Sequence, residues 1–347
     1  MIHTTTRVLE RTSYNLDLYS ITLFLNQTAR FAVPLFFVIS GFVLEHTNNS
    51  IQENLATNCK DELNADMSSS LKGKPRTSVR GGCHKTDLNF WQFIKKRLSK
   101  IVIPYIFWST IYYYFVYPSN NNSFISALFT GNASYQLYFI PSLCIFYFLF
   151  PILHKFYKFI TLPIIVIIFT MIELTFLHHD YFVKNLPLIE SLRISVLGLF
   201  FFISGMILSK HHETIIVFAN KWRTYIALVT AFFAYYLFDQ GLSQYKLTYN
   251  INAFYSSWRP SVLVYTYLSG VFLTSYFKST NFTGLAKLSF FVFFIHIIVL
   301  EIVWAYIGKF VNPNLYFDLI FFILVTAISF ILAKLTHAIP HISKVTG

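Results

Sequence analysis

Apolar positions in this chain run in long unbroken blocks, with no alternation every second residue and no single helical stripe. The blocks cover roughly 22–44, 101–117, 135–153, 159–177, 192–209, 224–239, 260–277, 288–307 and 315–334. A hydrocarbon core about 30 Å thick takes ~20 residues of helix to cross, so each block reads as a membrane span. Backbone in lipid must satisfy its polar groups internally, and a helix does so within one segment. The pattern therefore predicts an all-α fold, a polytopic transmembrane helix bundle with nine spans visible in this sequence.

One long polar interruption, 46–89, is rich in Asn, Ser, Lys and Asp and contains Lys72-Gly-Lys-Pro-Arg76 and Gly81-Gly82. Its scattered apolar residues bury too little to offset the entropy of ordering, so a disordered insert is expected there. The chain divides accordingly into 1–45, the insert 46–89, and a remaining membrane domain 90–347 holding eight helices. Phe90-Trp91-Gln-Phe93-Ile94-Lys-Lys-Arg97-Leu98 sets aromatic residues on one face and cations on the other, an interfacial approach to the next span. The connection 240–259 carries Tyr245, Tyr249, Tyr255 and Trp258, which suit either an external cap or a row of interfacial aromatics.

Composition agrees with lipid as the solvent. The chain is 55% hydrophobic and 12% charged, against about 25% charged in soluble domains. Net charge is +12, and 19 of the 27 Lys and Arg residues fall on one set of alternate connections, including the loop 46–100. Positive-inside logic makes that side cytoplasmic, with the C-terminus inside. The basic balance is then a topology signal, and nucleic acid is not an expected partner. Cys59 and Cys83 lie on the side where disulfides are disfavoured, and no C-x₂-C or H-x₃-H spacing predicts a metal.

Few polar groups interrupt the apolar blocks. His296 lies near the middle of one, with Ser289 on its face two turns earlier, while Glu301 falls about 140° around the same helix. An ionisable group in a membrane marks either a functional site or a structural hydrogen bond to a neighbouring helix. Glu173 reads as facing a helix neighbour or the interface. Asn26 and Arg30 are one turn apart on a shared face, and Pro34 deprives the Arg30 carbonyl of its helical partner and should open the helix beside that cation. Arg30 then either lines an anion-friendly pocket or snorkels to headgroups. Lys95, Lys96, Arg97 and Lys100 gather at the inner mouth of a span, as anchors or as a dock for a polyanionic cofactor. His3 by itself is a residue near the start of the sequence.

Several motifs in order resemble the acyltransferase 3 family of bacterial integral-membrane acyltransferases. They are Thr28-Ala-Arg30-Phe-Ala-Val-Pro-Leu-Phe-Phe-Val-Ile-Ser-Gly-Phe42, Lys96-Arg97-Leu-Ser-Lys-Ile-Val-Ile-Pro-Tyr-Ile-Phe-Trp108, Leu137-Tyr-Phe-Ile140 leading to Leu149-Phe-Pro-Ile-Leu153, Gly198-Leu-Phe-Phe-Phe-Ile-Ser-Gly205, and Leu288-Ser-Phe-Phe-Val-Phe-Phe-Ile-His296. The resemblance implies ten spans with both ends inside, and transfer of acyl groups from cytosolic acyl-CoA to sugar hydroxyls. It makes His3, in Met1-Ile-His-Thr-Thr-Thr6, the functional histidine that closes the first helix. The family's Arg about ten residues earlier has no position here, so the expectation is a first helix cut short by an internal start. Of the family's two loop arginines, Arg97 matches one and Lys100 replaces the other, keeping charge and losing the bidentate fork.

The resemblance therefore implies an O-acyltransferase of the bacterial plasma membrane. Its donor is acetyl-CoA or another acyl-CoA; its acceptor is a surface polysaccharide, peptidoglycan or lipid-linked glycan. His3 is expected as general base, Arg30 as stabiliser of anionic charge, and Arg97 with Lys100 as coenzyme contacts. Asn26, His296 and Ser289 are expected to support the site, and no metal is expected. A transporter or glycan flippase, and an inactive truncated product, are the alternative readings.

Overall fold

The computed structural model describes residues 1–11, 16–70, 86–118, 123–159, 187–248, 259–277, 283–308 and 315–339. Among them every regular element is a helix: α1 (Ile2–Arg11), α2 (Leu16–Thr28), α3 (Ala32–Ser70), α4 (Thr86–Ile111), α5 (Phe124–Thr130), α6 (Phe139–Phe156), α7 (Pro187–Lys210), α8 (His212–Lys221), α9 (Arg223–Thr248), α10 (Pro260–Tyr276), α11 (Thr283–Ile307) and α12 (Leu315–His337). A π-helical turn, Tyr112–Val116, ends α4, and a 3₁₀ turn, Tyr157–Phe159, ends α6.

Among the described residues five stretches are long and apolar enough to cross a membrane: Ile21–Glu53, Phe139–Phe156, Arg223–Gln244, Lys287–Ile307 and Tyr316–His337. The chain is thus a membrane protein that is all-helical among its described residues, and this is what the hydropathy blocks predict. The expected count of nine is a different matter. The blocks at 101–117, 192–209 and 260–277 are helical, but α10 is only 17 residues long and Leu197–Lys210 is a shorter apolar helix. Block 159–177 lies almost wholly outside the described residues, together with Glu173.

Two polar segments differ from their expected form. α3 continues from its apolar half through the first part of the 46–89 insert to Ser70, while 71–85 lie outside the described residues. Glu, Gln, Ala, Lys and Leu in 51–63 are all good helix formers, and a helix already nucleated by its apolar half extends at little cost. For the same reason α9 runs on to Thr248 through the start of the 240–259 connection.

Among the described residues α3 and α7 make the most extensive helix–helix contact, and small residues are the cause. A methyl group built on Gly41 would run into the carbonyl oxygen of Phe202, and one built on Gly205 would run into that of Val38. The two Ser-Gly pairs thus let each backbone lie directly on the other. Where lipid removes the hydrophobic drive between helices, such close packing is what holds them. Phe37, Phe146, Phe201 and Phe202 fill the space around this seam and are buried.

A second tie joins α3 to α6. Glu45 is fully buried; its carboxylate meets His154 Nδ1 at 2.8 Å and accepts from the Tyr157 hydroxyl at 2.8 Å. Burial, and then the bond to Glu45, raise the Tyr157 pKa, so that hydroxyl stays a donor.

The Gly41–Gly205 seam is directly testable. Gly205→Leu should lower stability by about 1–3 kcal/mol or more through overpacking, read as a fall in the unfolding midpoint of the detergent-solubilised protein. An unchanged midpoint would show that the backbones do not lie this close.

Candidate functional site

The site begins with a helix break. α2 ends at Thr28 and α3 starts at Ala32, with Arg30 in the turn between them. Pro34 cannot donate to the Arg30 carbonyl, so the ladder opens where the sequence predicted. The break aims a cation inward: Arg30 is only 6% exposed.

Asn26 receives that cation. Its Oδ1 accepts from Arg30 Nη2 at 2.7 Å and from Nε at 3.2 Å. Its Nδ2 faces α1, near the Ile2 carbonyl at 3.2 Å and the hydroxyls of Thr5 and Thr6 at 3.0 Å each. Asn26 is fully buried, and it joins the turn carrying Arg30 to the first turn of α1, where His3 sits. Beside it, Gln27 extends the network, donating to Asn26 Oδ1 at 3.5 Å and accepting from Arg259 at the start of α10.

His3 is a helix residue, half-buried among three elements. Its ring lies 4.9 Å from that of Tyr135 and 5.4 Å from that of His296 on α11. His296 Nδ1 lies 2.7 Å from the Phe293 carbonyl and 3.2 Å from that of Val292. A carbonyl only accepts, so Nδ1 carries the proton and Nε2 of the neutral ring holds the free lone pair. Both imidazoles border a cavity of about 260 Å³, whose wall also includes Ser289, Phe293, Phe322 and Thr326. The volume is slightly under the ~300 Å³ at which small-molecule pockets typically begin.

The residues singled out in the sequence fall into two places. His3, Arg30, Asn26, His296 and Ser289 converge on one region, with Ser289 and His296 on the same cavity wall. Arg97 and Lys100 are elsewhere, midway along α4: Arg97 lies beside the Tyr147 hydroxyl, and Lys100 is exposed. Along α4 to Tyr112, whose hydroxyl donates to the Phe294 carbonyl of α11, Arg97 is 15 residues away, or about 22 Å of helix. Glu301 does not join His296, in keeping with their angular separation; it pairs with Arg7 and accepts from Tyr117 at 3.3 Å.

Gln27, Tyr135 and Arg259 have no signal in the sequence that marks them. Gln27 borders Asn26 in the chain, but Tyr135 and Arg259 reach the site only through tertiary packing. Among the described residues no group of three His, Cys, Asp or Glu side chains is placed to hold a metal ion.

A family model described as an acyltransferase domain matches residues 1–334. The chain belongs to the acyltransferase 3 family. No curated protein and no solved structure matches it. Membership makes the chain a membrane acyltransferase, so it handles an acyl donor and an acceptor. The helix break, the two imidazoles and the cavity all lie within the matched span.

Asn26→Ala should cost about 1–3 kcal/mol, because it strands buried donors and acceptors on α1 and at Arg30. The expected result is a lower unfolding midpoint together with reduced acyl transfer. Asn26→Asp should keep the Arg30 bond and lose the donation to α1, giving an intermediate effect.

Proposed function

We propose that this protein is a membrane O-acyltransferase that moves an acyl group, acetyl by preference, from acyl-CoA on the cytoplasmic side to a hydroxyl of a cell-envelope carbohydrate. The observation that carries the reading is the convergence of His3, His296 and Arg30 on one buried region, joined through Asn26 and set against a cavity. A plain helix bundle has no need of two imidazoles and a guanidinium held together in this way.

The chemistry follows from these groups. An alcohol is a poor nucleophile, and a neutral imidazole that removes its proton during attack contributes typically 10²–10⁴-fold. The acceptor oxygen bonds to the thioester carbonyl carbon, and negative charge moves to the carbonyl oxygen. A fixed cation such as Arg30 stabilises that charge without reorganisation. When the tetrahedral adduct collapses, the carbon–sulfur bond breaks and the coenzyme thiolate takes up a proton. The products are the O-acyl sugar and free coenzyme thiol. His3 is assigned as the base, since Asn26 anchors its turn to Arg30; His296 shapes the cavity opposite.

The distance along α4 fits a donor that spans the site. Arg97 and Lys100 suit the phosphates of coenzyme A, and the extended pantetheine arm is of comparable reach to the stretch of α4 between them and Tyr112. The excess of basic residues on their side supports placing that mouth in the cytoplasm of a bacterium, with the C-terminus inside.

In proteoliposomes holding the protein and supplied with radiolabelled acetyl-CoA, label should pass to an envelope glycan fraction. His3→Ala should reduce that rate by about 10²-fold or more. Transfer by His3→Ala at the wild-type rate would overturn the assignment, and glycan movement without label transfer would instead identify a flippase. Arg97→Ala with Lys100→Ala should raise the KM for acetyl-CoA about tenfold or more, the loss of charge-assisted bonds to phosphate.

A further inference from the structure

The cavity beside the two imidazoles has one closed end. Its long wall is a single face of α11, where Ser289, Val292, Phe293, His296 and Leu300 follow one another over about three turns. Ser289, at one end, is exposed, and Leu300, at the other, is fully buried. His296 stands between them, with about 10 Å of helix back to Ser289 and about 6 Å forward to Leu300.

α12 reaches the cavity through Phe322, Val325 and Thr326. It packs antiparallel on α11, with the Trp304 and Phe321 rings 5.6 Å apart. Four residues back from Trp304 and four on from Phe321, Leu300 therefore comes level with Val325, one turn past His296. Beyond that level Val8 of α1 packs with Leu300, Val303, Phe321 and Val325 in one buried apolar cluster, which seals the end. Thr4 of α1, also on the wall, is buried and turns its hydroxyl back to the Met1 carbonyl at 2.9 Å. The blind end is thus a sleeve of mainly hydrocarbon, with the two imidazoles at its rim.

Resting on the acyl-transfer reading, we infer that this blind end is the acyl pocket of the donor, and that it takes uncharged chains from acetyl to butyryl. This widens the donor class of that reading and names the residues that set chain length, Leu300 and Val325. The thioester carbonyl lies level with the imidazoles, where His3 serves the attacking hydroxyl, and the chain runs on toward Leu300. A depth of about 6 Å accommodates about four carbon–carbon bonds of ~1.5 Å. Butyryl fits within it, and hexanoyl meets the plug. A succinyl group would carry a carboxylate against Leu300, Phe322 and Val325, none of which can pair with it, and burial of an unpaired charge is strongly unfavourable.

Calorimetric titration of the detergent-solubilised full chain with acetyl-, butyryl-, hexanoyl- and succinyl-CoA tests this apart from turnover. Wild type should bind butyryl-CoA no more weakly than acetyl-CoA, and hexanoyl- and succinyl-CoA about tenfold or more weakly. Leu300→Ala should tighten hexanoyl-CoA about tenfold by deepening the sleeve. That substitution also leaves a void that lowers stability, but unfolding does not create a site for a longer chain. Val325→Ile, which adds one methylene, should weaken butyryl-CoA about tenfold relative to acetyl-CoA. Equal affinity for all four donors, affinity that keeps rising to hexanoyl, binding of none, or variants with the wild-type profile would each overturn the inference. The expected chain-length profile with no transfer to glycan would leave the pocket standing and remove the O-acyl transfer. Acetyl transfer to glycan with the wild-type profile in both variants would do the reverse.

Discussion

The site depends on one buried amide. Asn26 accepts from Arg30 through its oxygen and donates to α1 through its nitrogen. Two helices are thereby fixed in register, and the cation is fixed with them. In a medium without competing water such bonds are the main directional force between helices, and breaking one leaves buried groups with nowhere to turn. Pro34 opens the helix at 29–31, and the inward guanidinium and the placement of His3 then follow from satisfying that side chain.

Around this junction the bundle arranges its polar groups along its length. At one end Glu45 holds His154 and Tyr157, with Arg97 beside Tyr147. His3, His296 and Arg30 occupy the middle. Arg7, Glu301 and Tyr117 occupy the other end.

The fold class and half of the site were legible in the sequence, for physical reasons that differ. Apolar blocks longer than a soluble helix face announce helices in lipid, and Pro34 announced the break at Arg30 because proline chemistry is local. Asn26 and Arg30 share a face by simple spacing, as do Ser289 and His296. What could not be read was partnership across helices. Glu45 with His154, Arg7 with Glu301, and Tyr135 against His3 join residues far apart in the chain, and nothing in local pattern ties one to the other. The reach of α3 into the polar insert was missed because composition measures burial, and a helix can extend on propensity alone once it has begun.

The glycine contact between α3 and α7 carries a mechanical consequence. Each backbone presses on a carbonyl of the other at Gly41 and Gly205, so neither helix can slide or roll without a clash. These two helices act as a fixed axle. The side chains of the site lie outside this axle, with His3 on α1 and His296 on α11.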